Sequence, residues 1–194
     1  MSAVGSHRSP SEARKAAGEA FSRVAADVLN DRAALATLRR GVGRTLEDSP
    51  SSWPYIVAAS AGREYRERAA HVALSLLALH QQSFAAGNAS QTGWGLGRAC
   101  RVLAAQRGPE GEKGVARRFR SVLAADDLDA LSVHLRGLLG LLRGAEIPLD
   151  YTQLFLDLSD WGRPERRSQV GLRWSRDYLA VNYSDDVDDT KGKA

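Results

Sequence analysis

The sequence predicts an all-α fold, a helical bundle of about eight or nine helices in two packed lobes, and three observations carry that prediction. Apolar residues recur at three- and four-residue steps, the spacing that lines one face of a helix. Residues that start helices stand at the heads of these runs, and glycine or proline stands at their ends. No stretch alternates apolar and polar residues between hairpin turns, as a half-buried strand would.

Ser9-Pro10-Ser11-Glu12 is a capping box with proline at the first helical position, so hydroxyl and carboxylate each take an amide that the first turn leaves unpaired. The helix it opens is predicted from 10 to about 30. Asp31 opens a second, which ends at Arg39-Arg40-Gly41, where Gly41 can take the left-handed conformation. Ser52-Trp53-Pro54 opens a short one, and Tyr65, Ala69, Val72, Ala73, Leu76 and Leu77 then mark a long amphipathic helix through about His80. The stretch 86–97, rich in Gly, Asn and Ser, reads as the main loop and the boundary between lobes. Further helices are predicted near 96–105 and 113–124, then one opened by Asp126 with Leu128, Leu131, Leu135, Leu138 and Leu142 at helical spacing. Asp150, with Gln153 three positions on, opens another that closes at Gly162, and Pro164 starts the last, turning Val170, Trp174, Tyr178 and Val181 inward. The expected organisation is a flexible N-terminus at 1–9, an N-terminal lobe at 10–88, a C-terminal lobe at 89–183 and a disordered acidic tail at 184–194.

At 194 residues and 43% apolar content the chain can bury a core without staples. No run of apolar residues is long enough for a membrane span, and the N-terminus lacks the apolar region of a secretory signal. The single cysteine, Cys100, cannot pair within the chain, which fits a cytoplasmic location. Of 27 basic residues 23 are arginine, the side chain whose planar fork pairs bidentately with phosphate. The net charge is +4, and the tail from Ser184 carries four Asp and two Lys, so the rest of the chain stands at +6 and favours anions.

Motifs for catalysis are missing: no nucleophile-elbow serine, no His-Glu-x-x-His and no phosphate-binding loop. Gly93-Trp94-Gly95-Leu96-Gly97 precedes a helix, but its third glycine is one residue early for a dinucleotide fingerprint and no strand leads into it. A loop with a close packing contact explains it. His7, His71, His80 and His134 are too scattered for a metal site, and Asp126 and Asp127 sit where a helix start favours carboxylates. The expectation is therefore no enzyme, no cofactor and no metal. Trp161 and Trp174 read as core, whereas Trp94, in the loop, is a candidate for stacking on a base.

Arginine does gather: Arg39, Arg40 and Arg44; Arg63, Arg66 and Arg68; Arg98 and Arg101; Arg117, Arg118 and Arg120; Arg163, Arg166 and Arg167. Each group alone is a solvated surface, partly balanced by Glu64, Glu67 and Glu165. As a set they predict a groove that follows a phosphate backbone without reading bases.

Several short motifs occur in a specific order: Gln91-Thr92 then Leu96-Gly97-Arg98-Ala99; Arg117-Arg118; Leu135-Arg136 with Leu138-Leu139; Ile147-Pro148-Leu149-Asp150; and Trp161-Gly162 followed by Arg163, Glu165 and Arg166. With Leu38-Arg39-Arg40 and the region of Arg63 upstream, this order resembles the CasB family, the small subunit of the type I-E CRISPR complex Cascade, over most of residues 30–175. The resemblance implies a helical, two-lobed, non-catalytic protein. It implies self-association and contact with the other Cascade subunits, backbone and large, beside the guide RNA, where it steadies the target and displaced DNA strands of the R-loop. Guide pairing reads the sequence in such complexes, so a strand-holding subunit needs phosphate contacts only. Carried over by position, the basic groove comprises Arg40, Arg63, Arg98, Arg118, Arg136, Arg163 and Arg166, with Arg39 and Arg117 beside them. The chain departs from the family at Pro164, in its extended N-terminus and in its acidic tail. The competing reading is a helix-turn-helix DNA-binding regulator, for which 150–176 is the one candidate unit, with apolar residues at the Trp161-Gly162 turn.

Overall fold

The computed structural model describes residues 9–84 and 88–180, and among these lie nine α-helices and no strand. They are α1 (Pro10–Leu29), α2 (Arg32–Arg40), α3 (Trp53–Ala59), α4 (Glu64–His80), α5 (Leu96–Gln106), α6 (Gly108–Leu123), α7 (Leu128–Gly144), α8 (Tyr151–Trp161) and α9 (Pro164–Leu179). The all-α class is borne out. The expectations for the acidic tail, for Val181 and for residues 1–8 lie outside the described residues, as do residues 85–87 beside the expected lobe boundary. No described helix is long and apolar enough to cross a membrane.

Capping explains most of the helix starts. The Ser9–Glu12 box closes in both directions, at 3.2 Å from the Glu12 amide to the serine hydroxyl and 2.8 Å from the Ser9 amide to the carboxylate. Asp31 takes the amides of Ala33 and Ala34. At α7 the cap is Asp127, not Asp126: it accepts from the Ala130 amide at 2.7 Å. Asp150 caps α8 through the Gln153 amide at 2.9 Å, but the Gln153 side chain reaches forward to Asp157 instead of back, so the box is half formed. Helix α6 starts at Gly108, ahead of the expected 113, because Pro109 and Glu110 suit a first turn and the glycines that follow do not stop it. Gly41 ends α2 at φ −78, and the left-handed residue is Gly43 at φ +77.

Helix α4 was expected to be amphipathic; its second half is instead buried on nearly every side, from Ala69 to His80. Small alanines there let α2, α3, α7 and α8 close around it. The buried apolar side chains form one cluster running from Ala17 to Trp174. Phe21 of α1 stacks on Phe155 of α8 at 4.6 Å, and Trp161 stacks on Trp174 at 5.2 Å, so both tryptophans expected in the core are there. Gly97 has the packing role the sequence suggests: a Cβ on it would stand 2.7 Å from the Asp177 Cβ and 2.9 Å from the Tyr178 amide, where α5 and α9 meet.

One carboxylate ties three helices. Asp157 of α8, with its side chain 2% exposed, accepts from Trp174 Nε1 at 2.7 Å, Arg173 at 2.5 Å and Gln153 Nε2 at 2.6 Å, and pairs with Arg14 at 3.5 Å. Burial pushes its pKa up, while Arg173, Trp174, Gln153 and Arg14 pull it back. One turn on, Asp160 holds Arg14 again and Arg166 at 3.1 Å.

His80, wholly buried, shares a hydrogen bond with the Tyr151 hydroxyl at 3.1 Å, and that hydroxyl donates to the Leu76 carbonyl. Burial, helped by Arg143, lowers its pKa from 6.5 to about 4. A depressed folded-state pKa means that the unfolded chain takes the proton first as pH falls. The fold should therefore lose about 1.4 kcal/mol per pH unit through His80 below pH 6.5, down to about pH 4, and nothing above 6.5. Denaturant unfolding between pH 8 and 4.5 checks this: the stability difference between wild type and His80→Gln should be constant above pH 6.5 and shrink steadily below it. A difference independent of pH would contradict the assignment.

Candidate nucleic-acid interface

Three helices, α4, α6 and α9, begin on arginine, a residue that helix physics disfavours there, and at α6 it is Arg107 in helical conformation. Arg63 is the N-cap of α4 and Arg163 the N-cap of α9, each in extended conformation and without a side-chain capping bond. A cation at this end opposes the helix dipole and cannot accept from the free amides, a task that Ser9, Asp31, Asp127 and Asp150 perform elsewhere in the chain. Glu64, Glu67 and Glu165, the acids expected to neutralise these clusters, sit in the first turns, where the dipole favours them. Arginine at these caps adds nothing to helix stability, which makes the two positions candidates for another role.

The cap of α9, Arg163, meets an aromatic side chain in the first turn of α4. Tyr65, expected on the apolar face of α4, is 52% exposed. The Arg163 guanidinium lies 4.6 Å from its ring centroid and that of Arg66 5.0 Å. Arg66, grouped with Arg63 in the sequence as part of a solvated surface, is instead buried and donates to the Ala13 carbonyl at 3.3 Å. Burial is the main cause lowering its pKa; Tyr65 and Asp160 oppose this, whereas Arg163 and Arg63 add to it. Arg63, Arg163 and, through Asp160, Arg166 thus share one corner formed by the starts of α4 and α9 and the end of α8.

The other predicted arginines stand on other elements. Arg136, in the middle of α7, folds over Gly43 and lines a pocket with Arg44, just beyond the end of α2 that carries Arg39 and Arg40. Arg40 donates to Thr37 at 3.1 Å. Arg98 of α5 lies 4.4 Å over the Trp94 ring and donates to the Gly93 carbonyl, so Trp94, half-buried against the core, already has a guanidinium on its ring. Arg117 and Arg118 are exposed on α6, where Arg118 turns back to the Gly114 carbonyl.

What unites these residues is how few have an internal counter-charge. Among the described residues no carboxylate oxygen lies within 4 Å of a basic nitrogen of Arg39, Arg40, Arg63, Arg98, Arg117, Arg118, Arg136 or Arg163. Arg166 is the exception, engaged by Asp160. The arginines that do hold carboxylates, Arg14, Arg68, Arg166 and Arg173, join helices to one another. Sequence reasoning missed Tyr65, and the signal that could have found it is its place two residues after a basic N-cap. Among the described residues no three His, Cys, Asp or Glu side chains gather to hold a metal ion, and Cys100 is buried with its thiol pKa pushed up by desolvation.

The family model for CRISPR-associated protein Cse2 matches residues 34–179. Among solved structures, CasB from Thermobifida fusca is 31% identical, with a TM-score of 0.69, covering 87% of this chain and 98% of its own. CasB from Thermus thermophilus is 28% identical, with a TM-score of 0.67 over 84% of this chain and 98% of its own. A chain of a CRISPR RNA-guided surveillance complex is 25% identical, with a TM-score of 0.67 over 86% of this chain and 92% of its own. No curated protein matches in sequence.

If Tyr65 presents Arg163 to a strand, Tyr65→Ala weakens single-stranded DNA binding about two- to fivefold, the size of an exposed cation–π contact, with Tm unchanged. Tyr65→Phe keeps the ring and the affinity. Fluorescence anisotropy checks both, and equal loss in the two variants would assign the role to the hydroxyl instead.

Proposed function

The chain belongs to the CRISPR-associated Cse2 family, and from that membership we propose that it is the non-catalytic small subunit of a type I-E CRISPR surveillance complex, Cascade. In this reading it holds the target and displaced DNA strands of the R-loop, beside the guide RNA, through phosphate contacts. It joins the backbone and large subunits and associates with a second copy of itself. The observation that carries the reading is the arginine N-cap Arg163 set over the exposed ring of Tyr65, two residues after the arginine N-cap Arg63, with no carboxylate within 4 Å of either guanidinium among the described residues.

The physical argument is one of charge left over after folding. A guanidinium without an internal carboxylate keeps its capacity for a bidentate phosphate contact, and contacts of this kind follow a backbone whatever its bases. Guide pairing supplies the sequence specificity, so the subunit gains nothing from reading bases and loses nothing by lacking a recognition helix. On α9, the helix a regulator would place in the major groove, Arg166 and Arg173 are already bound to Asp160 and Asp157. A non-catalytic role accords with buried His71 and His80, both with lowered pKa, and a buried Cys100, which leave these three side chains poorly placed for acid–base or nucleophilic work.

Reconstitution with the other subunits and guide RNA tests this. A variant with Arg118→Glu and Arg163→Glu should still assemble but lose the opened target duplex at least about tenfold faster, and free wild-type protein should bind single strands with a salt slope near −0.7 per phosphate contacted. Unchanged R-loop lifetime would reject these two residues as strand contacts. Failure to co-assemble would reject the subunit role. Protection of one palindromic duplex by the free protein would replace it with that of an operator-binding regulator.

A further inference from the structure

Between α3, the first turn of α4 and the loop that follows α2 lies a cleft walled by Leu46, Trp53, Ile56 and Val57, together with Glu47 and Glu67. Trp53 and Val57, one turn apart on α3, are 46% and 48% exposed, two of the six large apolar side chains that face solvent among the described residues. Single apolar side chains on a surface are ordinary, but two that flank one cleft mark a binding face. Trp53 Nε1 donates to the Leu46 carbonyl at 2.9 Å, so the indole is fixed in place and offers a ligand its ring face and not its N–H.

The two carboxylates of the cleft lack a counter-charge. Among the described residues no basic nitrogen lies within 4 Å of Glu47 or Glu67. Glu67 stands between Arg66 and Arg68 in the sequence, yet both arginines turn elsewhere: Arg66 donates to the Ala13 carbonyl, and Arg68 pairs with Asp129 of α7 at 2.9 Å. Glu47 acts on His71, but burial lowers the pKa of that imidazole, which stays neutral near pH 7 and offsets nothing. A chain of net charge +4 thus gathers two unpaired acids at one apolar cleft.

These walls select their occupant by charge and by shape. Two carboxylates repel phosphate, so a nucleic-acid strand does not enter. The volume, about 270 Å³, falls below the roughly 300–1,000 Å³ of pockets for drug-sized ligands and suits one long side chain. An apolar stem with a cation at its tip matches apolar walls with acids beside them. Of the two cationic side chains, arginine has the planar group that stacks on an indole face and the hydrogens to meet two carboxylates at once, whereas the lysine ammonium is a more strongly hydrated point charge. We propose that this cleft receives an arginine side chain presented by a neighbouring protein, its stem against Val57 and Leu46 and its guanidinium against Trp53, Glu47 and Glu67. Tryptophan and arginine are also the side chains that most often dominate the binding energy of protein interfaces. That the neighbour is another subunit of the surveillance complex rests on the function proposed above; that the cleft takes an arginine rests on its own walls.

The test uses the full chain with ¹⁵N-labelled tryptophan, titrated with N-acetylarginine amide and with its neutral isostere N-acetylcitrulline amide. The Trp53 indole resonance should shift saturably with the first and not with the second, and Glu67→Gln should weaken the response about two- to fivefold, the size of an exposed ion pair. In reconstitution with the other subunits and guide RNA, a variant with Glu47→Lys and Glu67→Lys should join the complex at least about tenfold less tightly, with Tm and single-strand affinity no lower than those of the wild type. Equal response to both probes, no response to either, or normal assembly of the double variant overturns the proposal. Loss confined to self-association overturns the choice of partner and places the arginine on a second copy of the chain. If the wild type itself fails to assemble, the subunit reading falls, while the titration still decides the cleft.

Discussion

The fold turns on the need to satisfy Asp157. A carboxylate removed from water is costly unless every lone pair finds a donor, and Asp157 finds them on α1, α8 and α9. Removing one partner of such a buried pair typically costs about 3–5 kcal/mol, comparable with the stability of a whole domain. Asp160, on the same face one turn later, repeats the arrangement nearer the surface and reaches Arg166 in the first turn of α9. Together the two acids set where α9 begins. The start of α9 sets Arg163, and Arg163 meets Tyr65 in the first turn of α4.

This divides the arginines by partner. Arg14, Arg166 and Arg173 spend their charge inside the molecule, closing helices onto α8. Arg63, Arg98, Arg117, Arg118, Arg136 and Arg163 have no carboxylate at contact distance among the described residues and keep theirs for solvent or a ligand. Where such an arginine needs orientation, an aromatic ring supplies it without neutralising it: Tyr65 for Arg163 and Trp94 for Arg98. A ring holds a guanidinium in place and leaves its hydrogens free, which a carboxylate would not.

Much of this was legible in the sequence, because helix starts and helix faces are local properties. Ser9, Asp31 and Asp150 announce their helices through side chains that accept from amides two or three residues on, and Trp161 and Trp174 fall on the inward side of the spacing. What was not legible depends on a neighbour distant in sequence. Helix α4 reads as amphipathic because His71, Ser75 and His80 are polar, yet neighbouring helices bury all three. Arg166 reads as a free cation because its partner Asp160 lies across the Gly162–Arg163 turn on a different helix. Tyr65 reads as core because it falls in step with Ala69 and Val72; only the position of α9 shows that its ring serves a guanidinium. Choosing Gly43 over Gly41 as the left-handed residue likewise requires His71, which closes on Gly41 from α4.

The central claim is that arginines with internal carboxylates hold the fold while those without hold a ligand. An alanine scan of Arg14, Arg63, Arg98, Arg117, Arg118, Arg136, Arg163 and Arg173, with Tm and single-strand affinity measured on every variant, tests it most directly. The account expects two separate groups: Arg14 and Arg173 lower Tm by several degrees, and the other six weaken binding and flatten its salt dependence at unchanged Tm. A scan in which the two losses rise together across all eight residues, or in which the six leave affinity untouched, would contradict it.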